Sequence, residues 1–428
     1  MQHEARRSAY PLKKALGLSL LFVLVCSQWM SGYSMLTHEQ IVDLAWSDQI
    51  QPLLKKRFPK ATQEELDQAH AYAYGGCIIQ DLGYYPFGNK TFSNLLHYVR
   101  SGDFVVAMLQ DADDLNGYAF ALGALAHYTS DVDGHPAVNR AVALDYPKLQ
   151  RKFGNNVTYE DNHTAHIRTE FGFDVVQVAK GRFTSDSYHN FIGFKVDKPL
   201  LEQAFRETYG LELNDILSNP DLSIGSYRRS VSAIIPEMTR VALLTKHAEL
   251  VRENPDFDQK KFVYRLSRAE YEKEWGTQYQ KPGWRTQLFA AFVRILPKIG
   301  PLKSADITLP TPTTEDLYIK SVNRTVDSYK AHLTTLQRLH HIDLANLDFD
   351  TGNPTRPEEY KLADLTYAKL VEKLADRKFD LVTPDLQSNL IAFYSGPPHA
   401  QPDDMTADEW HKVETAVSDL KRRRLASN

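Results

Sequence analysis

The sequence predicts an all-α protein, and three observations carry that reading. Apolar residues recur at helical spacing along most of the chain, alternating β-branched runs are few, and helix-capping signals are frequent. The stretch DLNGYAFALGALAHYTS, from Asp114 to about Ser130, is apolar nearly all round, as a central buried helix should be. With 428 residues the chain is long enough for two or three cores. Its formal charge of −4 argues against a strongly basic nucleic-acid module, although it leaves room for a local basic patch facing a membrane.

The N-terminus reads as a targeting segment. Arg6, Arg7, Lys13 and Lys14 precede the apolar run ALGLSLLFVLV, which is too short to span a bilayer comfortably, so residues 1–32 are expected to be a signal peptide. Export to a periplasm or the exterior follows, with an uncleaved membrane anchor as the alternative. Lipidation at Cys26 would give a lipid-anchored protein, but Val25 stands where a small residue is expected. Cleavage would leave Cys77 alone and no internal disulfide.

The elements after the signal follow in order. Thr37-His38-Glu39-Gln40 has the form of a capping box, with Ile41, Leu44, Ala45, Leu53 and Leu54 behind it at helical spacing. Thr62 to Glu65 repeats the device and opens a helix running to GGCIIQDLGYYP. Composition shifts after about residue 215, and the Pro/Thr-rich LPTPTTED (309–316) marks a linker or long loop. The expected division is therefore a helical domain over 33–215 and a helical extension of unassigned role over 216–428. Within the extension, PGWRTQLFAAFVRILPKIGP (282–301) places Trp284, Phe289, Phe292 and Ile295 beside Arg285, Arg294 and Lys298. That pattern suits an interfacial helix or, equally, a buried core helix.

The chemistry concentrates in HYTSDVDGH (127–135), where His127, Asp131 and His135 stand four residues apart. A helix rises about 1.5 Å per residue, so such residues share one face and can share an ion. One HxxxD pair is weak evidence of a metal. Here His127 follows the apolar run FALGALA, where an uncompensated polar ring is costly, and the spacing recurs at His166 and Glu170. Asp81 and His97 extend a set that suits zinc, although a lone His97 would read as a core histidine and a lone Asp81 as a turn cap.

The order His38, Asp81, His97, His127-xxx-Asp131, His135, His166-xxx-Glu170 resembles the zinc-dependent phospholipase C and P1/S1 nuclease superfamily over about residues 33–175. SMLTHEQIVDLAW and QDLGYYPFGNKTFSNLLHYV are similar to the phospholipase C/D-type branch, which includes GPI-specific phospholipase D. The resemblance implies two or three Zn2+ ions, with Asp131 bridging two of them. Asp81, His97 and His127 would complete the first site, and His38 with the mature N-terminal residue, expected at Tyr33, the second. His135, His166 and Glu170 would hold the third. It also implies catalytic roles for Asp81, in orienting or deprotonating the nucleophile, and for Asp131. One departure is visible: the family commonly spaces the motif HxxxDxxxxxH, whereas His135 follows Asp131 by only four residues. Asp133 is a candidate substitute ligand or a solvated residue, and His163 an alternative to His166 or its supporting partner.

Adjacent zinc ions lower the pKa of a bridging water toward about 7 and neutralise phosphoryl oxygens, so the implied activity is phosphodiester hydrolysis. No GxSxG or GxxxxGK[ST] motif offers another chemistry. The leading expectation is phospholipase C-type cleavage of phospholipid headgroups at a peripheral membrane surface. An S1/P1-like nuclease and a non-catalytic, zinc-stabilised lipid-binding envelope protein are the alternatives, and the overall acidity disfavours nucleic acid as the partner.

Overall fold

Helix α6 (Leu115–Asp145) organises the protein, and every residue from Gly117 to Asp131 in it is buried. The computed structural model describes residues 35–179, 194–231, 308–395 and 399–423. Before α6 come α1 (Met35–Ala45), a π-turn (Trp46–Ile50), α2 (Gln51–Arg57), α3 (Gln63–Gly76), a 3-10 turn (Ile79–Tyr84), α4 (Lys90–Tyr98) and α5 (Ser101–Asp111). After it come α7 (Pro147–Phe153), α8 (His163–Ala179), α9 (Lys198–Tyr209), α10 (Leu213–Ile216) and α11 (Pro220–Arg229). The later part contributes α12 (Pro312–Leu339), α13 (Lys361–Asp376), α14 (Pro384–Phe393) and α15 (Ala407–Arg422). The described residues form no strand, only an isolated antiparallel bridge between Leu347 and Pro354, so the all-α expectation is borne out.

A helix apolar all round must be enclosed on every side, and α3 and α12 supply the largest shares of that enclosure. The crossing with α3 is close because glycine faces backbone on both helices. A Cβ on Gly76 would lie 1.9 Å from the Phe120 carbonyl oxygen, and one on Gly123 would lie 2.1 Å from that of Ala73. On the α12 side, Tyr329 buries its ring and donates its hydroxyl hydrogen to the Leu122 carbonyl at 2.9 Å. One apolar cluster runs from Met35 to Leu420, so α12–α15 share a core with the earlier helices.

Three sequence expectations change. Thr37 lies inside the first described helix and is no cap; its hydroxyl donates instead to Asp174 Oδ1 of α8 at 2.6 Å. LPTPTTED is mostly helix: Thr311 accepts from the Thr314 amide as N-cap and Pro312 occupies the first turn of the 28-residue α12. The central helix continues past Ser130 to Asp145, through Gly134 and Pro136. The capping box at Thr62 and Glu65 is present as expected. The signal segment, Tyr33 and residues 282–301 lie outside the described residues, among which no helix is long and apolar enough to cross a membrane.

The close crossing gives a paired expectation for stability. Gly123→Ala forces two backbones apart and should destabilise by about 3 kcal/mol, the upper part of the range for overpacked cores. Gly225→Ala, in α11 where an added Cβ meets nothing within 4 Å, should stabilise by about 0.5–1 kcal/mol through helix propensity. Urea unfolding of the two variants checks both signs; a neutral Gly123→Ala would contradict the packing described.

Candidate metal centre

Five elements converge on the inner end of the buried stretch of α6. His38 comes from α1, Asp81 from the 3-10 turn, His97 from the last turn of α4, His127, Asp131 and His135 from α6, and His166 and Glu170 from α8. The i,i+4 spacing on α6 and α8 does what helix geometry dictates, stacking the side chains on one inward face. All eight are buried, and Asp81, 4% exposed, is the most accessible. HYTSDVDGH is therefore an interior wall.

Asp131 lies at the centre with its two oxygens facing different partners. Oδ2 is 3.1 Å from His127 Nε2 and 3.4 Å from His97 Nε2, while Oδ1 is 3.4 Å from His38 Nε2 and 3.7 Å from His135 Nε2. Asp81 Oδ1 approaches His97 Nε2 at 3.3 Å. Farther along, Glu170 Oε1 lies 2.9 Å from His166 Nε2 and 3.6 Å from His135 Nε2.

The backbone fixes which ring nitrogen faces the cluster. His97 Nδ1 is 2.7 Å from the Ser93 carbonyl, and His127 Nδ1 is 2.9 Å from the Cys77 carbonyl. A carbonyl only accepts, so each Nδ1 carries hydrogen and the neutral ring turns the Nε2 lone pair inward. The Nε2 atoms of His97 and His127 thus face Asp81 Oδ1 and Asp131 Oδ2 at 3.1–3.4 Å, and His166 Nε2 faces Glu170 Oε1 at 2.9 Å, yet none of these buried atoms has a hydrogen bond among the described residues. Lone pairs opposed in this way repel unless positive charge lies between them. Cations of the kind that imidazole and carboxylate ligate fit that requirement.

The donors divide into three groups whose ligand atoms lie within 4.8 Å of one another: His38, His127 and Asp131; Asp81, His97 and His127; and His135, His166 and Glu170. His127 belongs to two of them, and Asp131 reaches members of all three.

Protonation in the metal-free chain follows the same opposition. Burial lowers the His97 pKa, but the Asp131 and Asp81 carboxylates outweigh it and push the ring up to about 10. For His135 burial is likewise outweighed by Asp131 and Asp350, again to about 10. His166 is held down to about 3 by burial and by His135, and His38 well below its ordinary value by burial and His127. Burial pushes the Asp81 and Glu170 carboxyls up, each against the pull of neighbouring histidines. Protons on His97 and His135 therefore stand in for part of the positive charge that the donor set requires.

The alternatives left open by the sequence separate cleanly. Asp133 turns away from the cluster toward Arg324 of α12, whose guanidinium donates to its carbonyl at 2.7 Å. His163 is half exposed and lies near Glu160, whereas His166 is fully buried among the donors. His70 belongs elsewhere, stacked on Trp46 with Nε2 3.0 Å from Asp43.

Sequence reasoning missed the loop 346–353, which covers the centre. Its Asp350 Oδ1 lies 3.1 Å from His135 Nδ1, and Phe349 packs its ring against His97 and Tyr128. It also missed Asp174, which accepts from the Leu36 amide as well as Thr37 and so fixes the start of α1 beside His38. The acidic pair flanking Phe349 in DFDTGNP was the available signal, but it reads first as a turn.

A helical bundle with a buried cluster of five imidazoles and three carboxylates, drawn from five elements, has the donors of a metal-binding protein. Residues 37–219 match the family of zinc dependent phospholipase C, the family that the order of histidines and acids resembles. No curated protein and no solved structure matches the chain.

The proton-filled state predicts a pH dependence for zinc-free protein. Folded pKa values near 10 against an ordinary 6.5 mean that the contribution of His97 and His135 is fully present below about pH 6.5 and lost as pH rises toward 10. Chelator-treated protein should therefore unfold at lower urea at pH 9.5 than at pH 6.5, with a shallower slope after zinc loading. A midpoint that rises across this window would contradict the charge arrangement.

Proposed function

We propose that the chain is an exported zinc-dependent phosphodiesterase that cleaves phospholipids in the phospholipase C manner, releasing phosphorylated headgroups. The observation that carries the proposal is Asp131, fully buried, with one oxygen toward His97 and His127 and the other toward His38 and His135. A carboxylate so placed is suited to join neighbouring ions, and the family match supplies zinc as the metal.

His38, Asp81, His97, His127 and Asp131 would hold two ions, and His135, His166 and Glu170 a third. Bound zinc supplies an acidified water and neutralises charge growing on the phosphoryl oxygens. The chain's own part is to orient and to move protons. Asp81, the most accessible of the donors and made more basic by burial, is placed to orient the attacking water and accept its proton. The water's hydroxyl goes to phosphorus, the bond to the glycerol oxygen breaks, and that oxygen takes up a proton to leave a diacylglycerol. Phe87 supports a lipid surface as the partner: six residues after Asp81, it is 60% exposed at a left-handed φ of 64°. Ser223 holds its carbonyl at 2.6 Å, beside the exposed Leu222. Backbone strain spent on presenting a phenyl ring to solvent favours an interfacial role.

Phosphorylated headgroup released from mixed phospholipid vesicles, with a chelator control and single-stranded nucleic acid in parallel, tests the activity. Asp131→Asn should fall to the chelator background, while His135→Ala keeps measurable turnover because it reaches fewer ions. Equal residual activities in the two variants, or cleavage of nucleic acid alone, would overturn the assignment.

Export bears on the same centre. With residues 1–32 removed, the amine of Tyr33 would stand five residues before His38, and an amine of pKa near 7.7–8.0 can lose its proton to zinc. Asp174, by holding Leu36 and Thr37, ties the entry of α1 beside the donors and so supports the placement. Mass spectrometry of the exported protein should find Tyr33 first; a chain starting at Cys26 or keeping its leader would remove that ligand.

A further inference from the structure

We infer that Asp350, which lies 131 positions beyond the end of the family match, is the positioning carboxylate that holds His135 as a metal ligand. The inference rests on the zinc reading of the centre. Its starting point is an asymmetry among the histidines. His97 and His127 each set their inward Nε2 by giving the Nδ1 hydrogen to a carbonyl of the helical scaffold. At His135 Nδ1 is instead paired with Asp350 Oδ1, 3.1 Å away though off the hydrogen-bond axis, and both residues are 1% exposed. A carboxylate on the far ring nitrogen fixes the tautomer and makes the near nitrogen a stronger donor.

Asp350 is itself held from several sides. Its Oδ2 accepts from the hydroxyls of Tyr98 at 2.9 Å and Tyr360, leaving Oδ1 directed at the ring. Its amide donates to Asp348 Oδ1 at 2.8 Å, and its carbonyl accepts from the Asn139 side chain, one turn beyond His135 on α6, at 2.7 Å. Phe349 N donates to the His97 carbonyl at 3.2 Å. Gly352, at φ +73°, lets the loop pass within 2.8 Å of the Val132 carbonyl, measured from where a Cβ would stand. The loop thus presents a charge already oriented before any ligand forms.

His135 follows Asp131 by one helical turn on α6, and the carboxylate that faces its outer nitrogen comes from a loop outside the matched segment. A purely structural Asp350 would need only its tyrosines and backbone contacts; the second oxygen on the imidazole is what such a role leaves over.

Zinc content and affinity of the full chain test the inference. Wild type, Asp350→Asn, Asp350→Ala, His135→Ala and the double variant Asp350→Ala/His135→Ala are loaded with zinc, dialysed against graded chelator and measured by elemental analysis, with the cobalt(II) spectrum as a second readout. Asp350→Ala should hold its weakest ion about 10–100-fold less tightly than wild type, with Asp350→Asn between them because an amide oxygen still accepts from Nδ1 without the charge. The double variant should be no worse than His135→Ala, since Asp350 acts through that ring. Should Asp350→Ala fail to fold, the near-isosteric Asp350→Asn decides. Unchanged ion count and affinity in a folded Asp350 variant, or losses that add in the double variant, would overturn the role of Asp350 while leaving the zinc centre standing. Wild type that binds no zinc would overturn both.

Discussion

A carboxylate with no solvent exposure, set among imidazoles on a helix enclosed by its neighbours, is the constraint from which the rest follows. Asp131 cannot be ionised there without compensating positive charge, because an isolated buried carboxylate costs far more than a fold can supply. Four histidines approach it, yet two of them have their ring orientation fixed by backbone carbonyls that, while the ring is neutral, leave lone pairs facing inward. Protons on His97 and His135 answer part of the demand in the metal-free chain. Divalent ions answer it more fully, since one charge can serve several donors at once. The fold is in this sense arranged around charge that the polypeptide alone does not carry.

That arrangement also accounts for how α12 and the loop after it dock on α6. Pro136 has no N–H to give the Val132 carbonyl one turn earlier, so the helix carries an acceptor without its usual partner. The backbone of Gly352 packs closely against that carbonyl, and Arg324 donates to the next one, Asp133 O. The later helices therefore meet α6 where its own ladder is interrupted, immediately beside Asp131 and His135. Tyr128 reinforces the seam by donating to the Ala345 carbonyl at 2.9 Å, and Ser101 by donating to that of Leu347 at 2.6 Å. A break in helix regularity and the attachment of the C-terminal segment are one feature.

Legibility in the sequence tracked how local each determinant is. The paired spacings at His127, Asp131 and His135, and at His166 and Glu170, are helix geometry and could be read within a few residues. Asp81 and His97 have no such local signature and entered through the order of residues in a family. Thr37 was misread because its hydroxyl answers to Asp174, 137 residues away, and not to the amide three positions on. The Pro/Thr run at 309–316 was misread for the opposite reason: residues that break helices in their interior are favoured at the first turn. Asp350 was invisible because nothing about DFDTGNP states that its turn lies over an imidazole 215 positions earlier.

Charge counting bears on the proposed substrate class. Asp81, Asp131 and Glu170 contribute three negative charges, and Asp350 adds a fourth behind His135. Three divalent ions would carry six positive charges, so the filled centre keeps an excess of two. A phosphodiester brings one negative charge, and a water that has given up its proton brings another. The proton that the water gives up would pass to Asp81, so reactants and centre together would keep one positive charge, half the excess of the filled centre alone. The same count gives Asp350 a meaning beyond orienting a ring: without it the excess would grow to three, and a filled centre would hold a dianionic phosphate product more strongly than a monoanionic diester.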